Sequence, residues 1–146
     1  MKTKITFLAT LFILLAVMLA ACASASTSAD LRGSTWKLVS YAFEGKLIPA
    51  AADANAALTF DRGGKLSGSV GCNSISGDYT LSGDQITFGA LSSTMMACAD
   101  AVMQQEGAVF SVMTGALKYK LDAGVLTLYS ASGDPAITFS QVVPQP

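Results

Sequence analysis

The chain of 146 residues contains no histidine. Catalytic arrangements that need an imidazole, such as Ser-His-Asp and Cys-His groups, are therefore excluded, as are histidine metal ligands and histidine pH switches. Carboxylate and lysine chemistry remain available, but a catalytic carboxylate usually works with a second acid, and the sequence identifies none. We expect a protein that is not an enzyme and that uses neither a metal nor another cofactor.

Basic residues are also scarce. Nine lysines and arginines stand against ten aspartates and glutamates, and Lys2 and Lys4 precede the first apolar run. If residues 1–21 are removed on export, seven basic residues remain against ten acidic ones, a net charge of −3. No basic patch is left for a phosphate backbone, so we expect no nucleic-acid partner.

The first 21 residues have the pattern of an export signal. A short basic start is followed by an apolar run from Ile5 to Met18 that only Thr6 and Thr10 interrupt. This pattern favours a secretory signal peptide over a core helix. An uncleaved transmembrane anchor is the alternative, because roughly 18 apolar residues can span a bilayer.

The segment Leu19-Ala20-Ala21-Cys22 resembles a bacterial lipobox, in which the cysteine is diacylated and becomes the new N-terminus. An ordinary cleavage site at Ala23-Ser24-Ala25, which would release a soluble protein, is the alternative. Three cysteines in an exported chain leave one unpaired, whereas a lipid on Cys22 leaves an even pair. Acyl chains contribute about 0.8 kcal/mol per buried CH₂, which predicts stable attachment to a membrane.

Ala23 rather than an aspartate follows this cysteine. The sorting pattern that it resembles favours the outer membrane, facing the periplasm, or the cell membrane in an organism with one membrane. Residues 22–30 are small and polar, which predicts a flexible tether. The expected partners are the membrane, through the lipid, and an unidentified protein of the envelope.

The residues after the tether predict one mainly β domain, residues 31–142, followed by a tail of residues 143–146. Strand-forming stretches alternate with glycine-rich turns at intervals typical of a small barrel. Eight strands are predicted: Trp36–Phe43, Ala57–Phe60, Lys65–Cys72, Tyr79–Leu81, Gln85–Phe88, Lys118–Leu121, Val125–Tyr129 and Ala136–Gln141.

One helix is predicted from Asp100, its expected N-cap, to Ala116. Its apolar stripe comprises Val102, Val109, Phe110, Met113 and Leu117. The predicted fold is a small β-barrel or rolled antiparallel sheet of about eight strands with one α-helix, preceded by a signal-peptide helix. Trp36 is expected to fill the barrel interior.

Cys72 and Cys98 remain once Cys22 is lipidated, and an oxidising compartment favours a disulfide between them. Closing the 25 residues between them would stabilise the fold by about 3.5 kcal/mol on the chain-entropy account. Reduced buried thiols and a redox-active pair are the alternatives. Metal binding is disfavoured, because no histidine and no second cysteine pair accompanies them.

Four further residues near this pair are candidate site residues. Asn73 follows a strand end, where it is expected to cap a turn or to adopt a positive φ. Met95 and Met96 either pack in the core or form an adaptable apolar surface, and with Asn73 they make up the candidate partner surface. Glu106 is expected to make a structural polar contact, for which a lysine or arginine of the barrel could be the partner.

Several short motifs resemble the META domain (HslJ-like) family. They are Leu31-Arg32-Gly33-Ser34-Thr35-Trp36, Gly71-Cys72-Asn73, Gly77-Asp78-Tyr79, Thr94-Met95-Met96-Ala97-Cys98, Glu106, and the closing strands Leu126-Thr127-Leu128 and Ile137-Thr138-Phe139. The resemblance covers about residues 31–140. It implies a lipocalin-like barrel with one helix, an envelope or secreted location, and a link to stress tolerance, drug resistance or secretion. The family carries no established catalytic residues that could be transferred to this chain.

These observations favour a lipid-anchored envelope protein that acts by binding another protein. Two other functions are compatible with a small barrel. It could hold a small apolar ligand, since barrels of about eight strands either enclose one or are filled by their own side chains. It could also inhibit a peptidase through a loop such as Pro49–Asn55.

Overall fold

The structure is a computed structural model that describes residues 30–143. The predicted signal peptide and residues 22–29, with Cys22, lie outside the described residues, as do residues 144–146. The helix found within 30–143 is not long and apolar enough to cross a membrane. The elements are β1 (Ser34–Phe43), β2 (Lys46–Pro49), β3 (Ala57–Phe60), β4 (Lys65–Ser69), β5 (Ser74–Ser82), β6 (Gln85–Ser93), α1 (Asp100–Val112), β7 (Gly115–Asp122), β8 (Val125–Tyr129) and β9 (Pro135–Val142).

Eight of the strands form a closed antiparallel barrel. Starting from β1, the ring continues with β3 and then in chain order to β9, which pairs back onto β1. β2 stands outside this ring and pairs with the second half of β1, from Ser40 to Phe43. The predicted fold class is therefore confirmed: the domain is mainly β, a small barrel with one helix.

β2 is the strand that the sequence pattern misses. It follows a two-residue turn in which Glu44 and Gly45 both have positive φ, +49° and +76°. Positive φ at both central positions is the geometry that joins tightly paired antiparallel strands. The four residues of β2 carry only exposed or half-buried side chains, so they show no apolar alternation that would predict a strand.

Strand boundaries near the helix also differ from the prediction. β4 ends at Ser69 rather than Cys72, because the chain bends at residues 70–73 to pass beneath the helix. β5 and β6 both extend well beyond their predicted ends, to nine residues each. The added residues are mostly serine and glycine, which have no apolar alternation and become strand by pairing with each other.

α1 ends at Val112 rather than at Ala116. Gly115 has a φ of +64° and opens β7, so the last two predicted residues of the helix belong to a strand. The N-cap is Ala99 and not Asp100, and it makes no side-chain capping bond. Asp100 lies instead in the first helical turn, where a carboxylate interacts favourably with the helix dipole.

The barrel interior is packed with large apolar side chains. Trp36, as predicted, is fully buried, and its indole N–H donates to Ser34 Oγ at 2.7 Å. A bulge between Leu38 and Ser40 shifts the alternation of β1. Tyr41 therefore points inward, although strict alternation places it on the outer face with Val39. Other fully buried core residues are Leu31, Leu58, Phe60, Leu66, Ile86, Leu126, Leu128, Ile137 and Phe139.

The two open ends of the barrel have different roles. β1 begins and β9 ends at one of them, where Thr35 pairs with Val142. We call it the tether end, because the described chain starts there at residue 30. Residues 70–73, between β4 and β5, and the last residues of β6 lie at the opposite end, where α1 packs. We call this the helix end.

Candidate functional site

A disulfide joins two segments at the helix end. Cys72 lies in the connection between β4 and β5, and Cys98 lies two residues before α1. Their Cα atoms are 5.9 Å apart, and the bond closes a sequence separation of 26 residues. The pairing that the cysteine count favours is therefore present. It fastens residues 94–98 to the barrel just before the helix begins.

Glu106 reaches from α1 to the same connection. Its Oε2 accepts the backbone N–H of Asn73 at 2.5 Å, and its Oε1 accepts Asn73 Nδ2 at 2.6 Å. Both residues are buried, with 9% and 3% of their surfaces exposed. The structural contact is a pair of charge-assisted hydrogen bonds. The prediction of a lysine or arginine as the partner is wrong. The neutral N–H donors satisfy the carboxylate oxygens, so no second charged group has to be desolvated.

Asn73 holds the disulfide-linked segment from beneath. Its Oδ1 accepts the backbone N–H of Met96 at 2.7 Å and the hydroxyl of Thr94 at 2.9 Å. It does not have the positive φ that its place after a strand suggested. Only 3% of the Asn73 surface is exposed, and the residue also lines the open depression beside Thr94, Met95 and Met96. It therefore supports the candidate surface from below and also contributes to its lining.

Gln105 is a site residue that the sequence analysis missed. It is fully buried, its amide donates to Val70 O at 2.7 Å, and its Oε1 accepts the backbone N–H of Ala51 at 2.7 Å. The signal was available in the spacing. Val102, Gln105, Glu106 and Val109 occupy positions i, i+3, i+4 and i+7, so two polar residues lie within the buried stripe.

Gly71 allows the helix to come close. A Cβ atom at this position would lie 2.6 Å from Glu106 Cβ and 2.8 Å from Val102 O. No other residue could occupy this position without displacing α1, which explains the glycine of the Gly71-Cys72-Asn73 motif in terms of contact distance. The same close approach brings Glu106 within reach of Asn73.

Above this buried support lie three exposed methionines. Met95 is 98% exposed, Met96 54% and Met103 37%. The three line one open depression of about 430 Å³, together with Asn73, Thr94 and Ala97. We call Met95, Met96 and Met103 the methionine surface. Met113, further along the chain, is buried in the core, so the methionines divide into packing and exposed groups.

The chain segment that carries the methionine surface has little charge, and all of it is negative. Residues 85–117 contain no lysine or arginine, and their two charged residues are Asp100 and Glu106. In the part of the chain that the structure describes, no group of three cysteine, aspartate or glutamate side chains could hold a metal ion. The site can therefore contribute apolar contact and hydrogen bonds, with a weak preference for a neutral or basic partner.

The loop considered for peptidase inhibition is tied down at this end. Pro49 itself closes β2, Ala51 is held by Gln105, and Ala54 N–H donates to Ala51 O at 3.2 Å. Asn55 has a φ of +45°, which ends the turn before β3. The loop forms part of the capped end and makes no separate extended projection.

A closed antiparallel barrel with a helix pinned over one end defines the structural class of this domain. The sequence profile of the META domain family matches residues 29–143, which include every residue that the structure describes, so the protein belongs to the META domain family. The resemblance of its short motifs is thereby confirmed.

Solved structures with the same fold agree. A protein from Burkholderia xenovorans, solved by NMR, is 27% identical, with a TM-score of 0.65 over 78% of this chain and 85% of that one. A second NMR structure is 24% identical, with a TM-score of 0.58 over 75% and 89%. A DUF4847 family protein from Bacteroides vulgatus ATCC 8482 is 15% identical, with a TM-score of 0.56 over 79% and 96%. No curated protein matches the chain.

Proposed function

We propose that this META domain protein is a non-enzymatic, lipid-anchored protein of the cell envelope that binds another protein through its methionine surface. The lipid is carried by Cys22, and the membrane is the outer membrane where the cell has two. The observation that carries the binding function is the exposure of three methionines above a rigid, buried support.

Exposure on this scale contributes nothing to the stability of the domain. A buried methionine side chain stabilises a fold by about 1.5–3 kcal/mol, and Met95 forgoes nearly all of that. Methionine is flexible and polarizable, and it is used at adaptable protein-binding surfaces. Partner binding would bury these side chains and recover their hydrophobic contribution.

The support beneath the methionines is consistent with recognition. Residues 94–96 are held by the disulfide and by the two bonds that Asn73 Oδ1 accepts, so their backbone is ordered before a partner arrives. A preorganised surface avoids part of the entropic cost of binding. The methionine side chains themselves keep their rotamer freedom, which allows them to adapt.

The position of the methionine surface, opposite the tether end, is consistent with a protein that is anchored through its N-terminus. The described chain starts at the tether end, and the methionine surface lies at the helix end, on the other side of the barrel. With a lipid on Cys22, the tether of residues 22–30 would place the tether end toward the membrane. The methionine surface would then face away from the membrane, toward proteins of the envelope.

Site-specific crosslinking tests the binding function. A photoreactive amino acid placed at position 95 or 96 of the full-length chain, in growing cells of its own species, should give a discrete adduct with one envelope protein. Val125 is a matched control, since it is exposed but is the first residue of β8, at the tether end. Equal adducts at position 125, or repeated failure at both methionines, would contradict the proposal.

Metabolic labelling tests the anchor. An alkyne analogue of palmitate should label the full-length protein, and Cys22→Ser should lose the label. Cys72→Ser, which removes a cysteine but leaves Cys22, should stay labelled and sediment with membranes. Label retained by Cys22→Ser would refute lipidation at this residue.

The physiological setting that we propose is the one the family resemblance implies: envelope stress tolerance, drug resistance or secretion. A strain lacking the protein, complemented with Cys22→Ser or with Met95→Ser/Met96→Ser, tests it. Both variants should fail to restore survival under envelope stress or drug exposure, or should fail to restore secretion. Full complementation by both would show that neither the anchor nor the methionine surface serves these processes.

A further inference from the structure

One strand of the barrel wall lacks a neighbour over half its length. β6 runs from Gln85 to Ser93, but it pairs with β7 only from Gln85 to Phe88. Within the part of the chain that the structure describes, Gly89–Ser93 has no strand partner on that side. On its other side β6 remains paired with β5 as far as Ser93. The otherwise closed wall therefore has an open strand edge beside α1.

The register of β5 and β6 shows which backbone groups face this open edge. Thr94 N–H donates to Ser74 O on β5 at 3.1 Å. Because backbone groups of successive residues alternate in direction along a strand, those of Ser92 also face β5, and those of Leu91 and Ser93 face away from it. Leu91 and Ser93 thus direct two N–H and two C=O groups toward the open edge.

A groove runs beside this edge. Ser93 lines it on one side, and Met103, Gly107 and Phe110 of α1 line it on the other, enclosing about 290 Å³. Glu106 lies at its floor, with its oxygens directed to Asn73. Met103 also belongs to the methionine surface, so the groove and that surface are continuous.

We propose that the Gly89–Ser93 edge of β6 binds an extended segment of the partner protein, which adds a strand to the barrel wall. Only an extended backbone can present N–H and C=O groups at the spacing that Leu91 and Ser93 require. Met103 and Phe110 receive an apolar side chain of the added strand. This inference rests on the proposed protein-binding function and specifies its mode.

The charge of this part of the protein indicates which extended segments could bind to the edge. The edge residues Gly89–Ser93 are uncharged, and the chain segment 85–117, which includes α1, carries Asp100 and Glu106 but no lysine or arginine. The edge also lacks the lysine or proline with which proteins commonly protect exposed strands from pairing. The segment that fits is apolar at alternate positions and flanked by basic rather than acidic residues.

A defined probe tests the inference. The heptapeptide Lys-Leu-Thr-Val-Thr-Leu-Lys, with blocked ends, is titrated into ¹⁵N-labelled protein up to millimolar concentration. We expect saturable shifts at Leu91 and Ser93, and exchange of these two amides slowed by about tenfold or more at saturation. The amides of Ser92 and Thr94, already facing β5, should slow less. The same peptide with glutamate in place of both lysines should bind at least several-fold more weakly.

Two matched variants locate the binding mode. A Cβ at Gly107 meets nothing within 4 Å, so Gly107→Ala and Gly107→Leu should both fold. Gly107→Leu fills the groove and should weaken peptide binding about tenfold or more, while Gly107→Ala should bind nearly as the natural protein does. Ser93→Pro removes an N–H that faces the edge and not β5, so it should weaken binding without unfolding the barrel.

The possible failures can be told apart. Absence of saturable binding, shifts confined to other strands, or unchanged binding by both Gly107→Leu and Ser93→Pro would overturn the added-strand inference. Partner adducts at positions 95 and 96 would still stand in those cases, because that crosslink does not depend on the edge of β6. Loss of the adducts with the peptide results intact would instead refute the methionine surface alone.

Discussion

The two ends of the barrel are closed in different ways. At the tether end, apolar packing dominates: Leu31 is buried, and the rings of Phe60 and Tyr79 meet edge to face with centroids 5.1 Å apart. At the helix end, buried polar contacts hold the helix over the barrel. They are the Asn73–Glu106 contact and the hydrogen bonds of Gln105 to Val70 and Ala51.

The two kinds of contact differ in how accurately they position the parts of the protein that they hold. An apolar plug can adapt in detail, since many packings bury similar area, whereas hydrogen bonds to a buried carboxylate require particular atoms at particular distances. The polar end therefore orients the helix and residues 94–98 accurately. The exposed methionines stand on the end whose geometry is most strongly specified.

Asn73→Ala should destabilise the helix end more than any other substitution considered for the two ends. It removes the side-chain amide of Asn73 and leaves the buried Glu106 carboxylate with one remaining N–H donor. The free energy of unfolding should therefore fall by about 4 kcal/mol. Urea unfolding measures the loss. In a Glu106→Leu background the same substitution should cost clearly less, because no carboxylate is then left without its partner. A loss below about 1 kcal/mol would show that water replaces Asn73 without difficulty.

Cys72→Ser/Cys98→Ser tests the covalent part of the helix end. Releasing the 26-residue separation should lower the free energy of unfolding by about 3.5 kcal/mol, because the unfolded chain gains conformational freedom. Reductant added to the natural protein should produce the same shift of the urea midpoint. In amide exchange, residues 94–98 should become less protected and the tether end should not. An unchanged midpoint would mean that the polar contacts alone hold this segment.

Tyr79→Phe addresses the tether end. Its hydroxyl donates to Asp61 O at 2.5 Å, so the loss at neutral pH should be about 1 kcal/mol. Burial, the largest cause, raises the pKa of Tyr79 above its usual value of 10.0, so the folded state holds the phenolic proton more tightly than the unfolded state. This contribution is complete below pH 10 and is lost as pH rises further.

Alkaline urea titrations provide the readout for this variant. The natural protein should lose stability above pH 10 more steeply than Tyr79→Phe, since phenylalanine has no proton to release. Parallel curves for the natural protein and Tyr79→Phe would show that burial of this ring does not affect its ionisation.

Met95→Ser should have the smallest effect on stability, within about 0.5 kcal/mol, because its side chain is almost fully exposed. Met113→Ala is the contrasting variant and should cost about 3 kcal/mol, since it leaves a cavity in the core. A large loss from Met95→Ser would mean that this side chain supports the fold, which would weaken the case for a binding surface.

Much of the barrel was predictable because its inward residues alternate. The core strands β1, β3, β8 and β9 were predicted to within about two residues, since their apolar side chains face a single interior. β2 was not, because its four exposed or half-buried side chains show no apolar alternation. The added residues of β5 and β6 were not either, because serine and glycine acquire strand geometry only from a neighbouring strand. The contact of Asn73 with Glu106 was not predictable for a related reason: the sequence shows a polar residue but not the helix that packs beside it.

The class of the domain, the absence of histidine chemistry and the family motifs follow from the sequence alone, and the cysteine count favours the pairing of Cys72 with Cys98. These follow from composition, count and local alternation, which are properties of neighbouring residues. Only the tertiary structure decided that Glu106 takes Asn73 as its partner, that Met95 and Met96 stay outside, and that β6 keeps an open edge. Each of these depends on where α1 packs, and that position is set by contacts between residues more than thirty positions apart, such as Gly71 with Glu106.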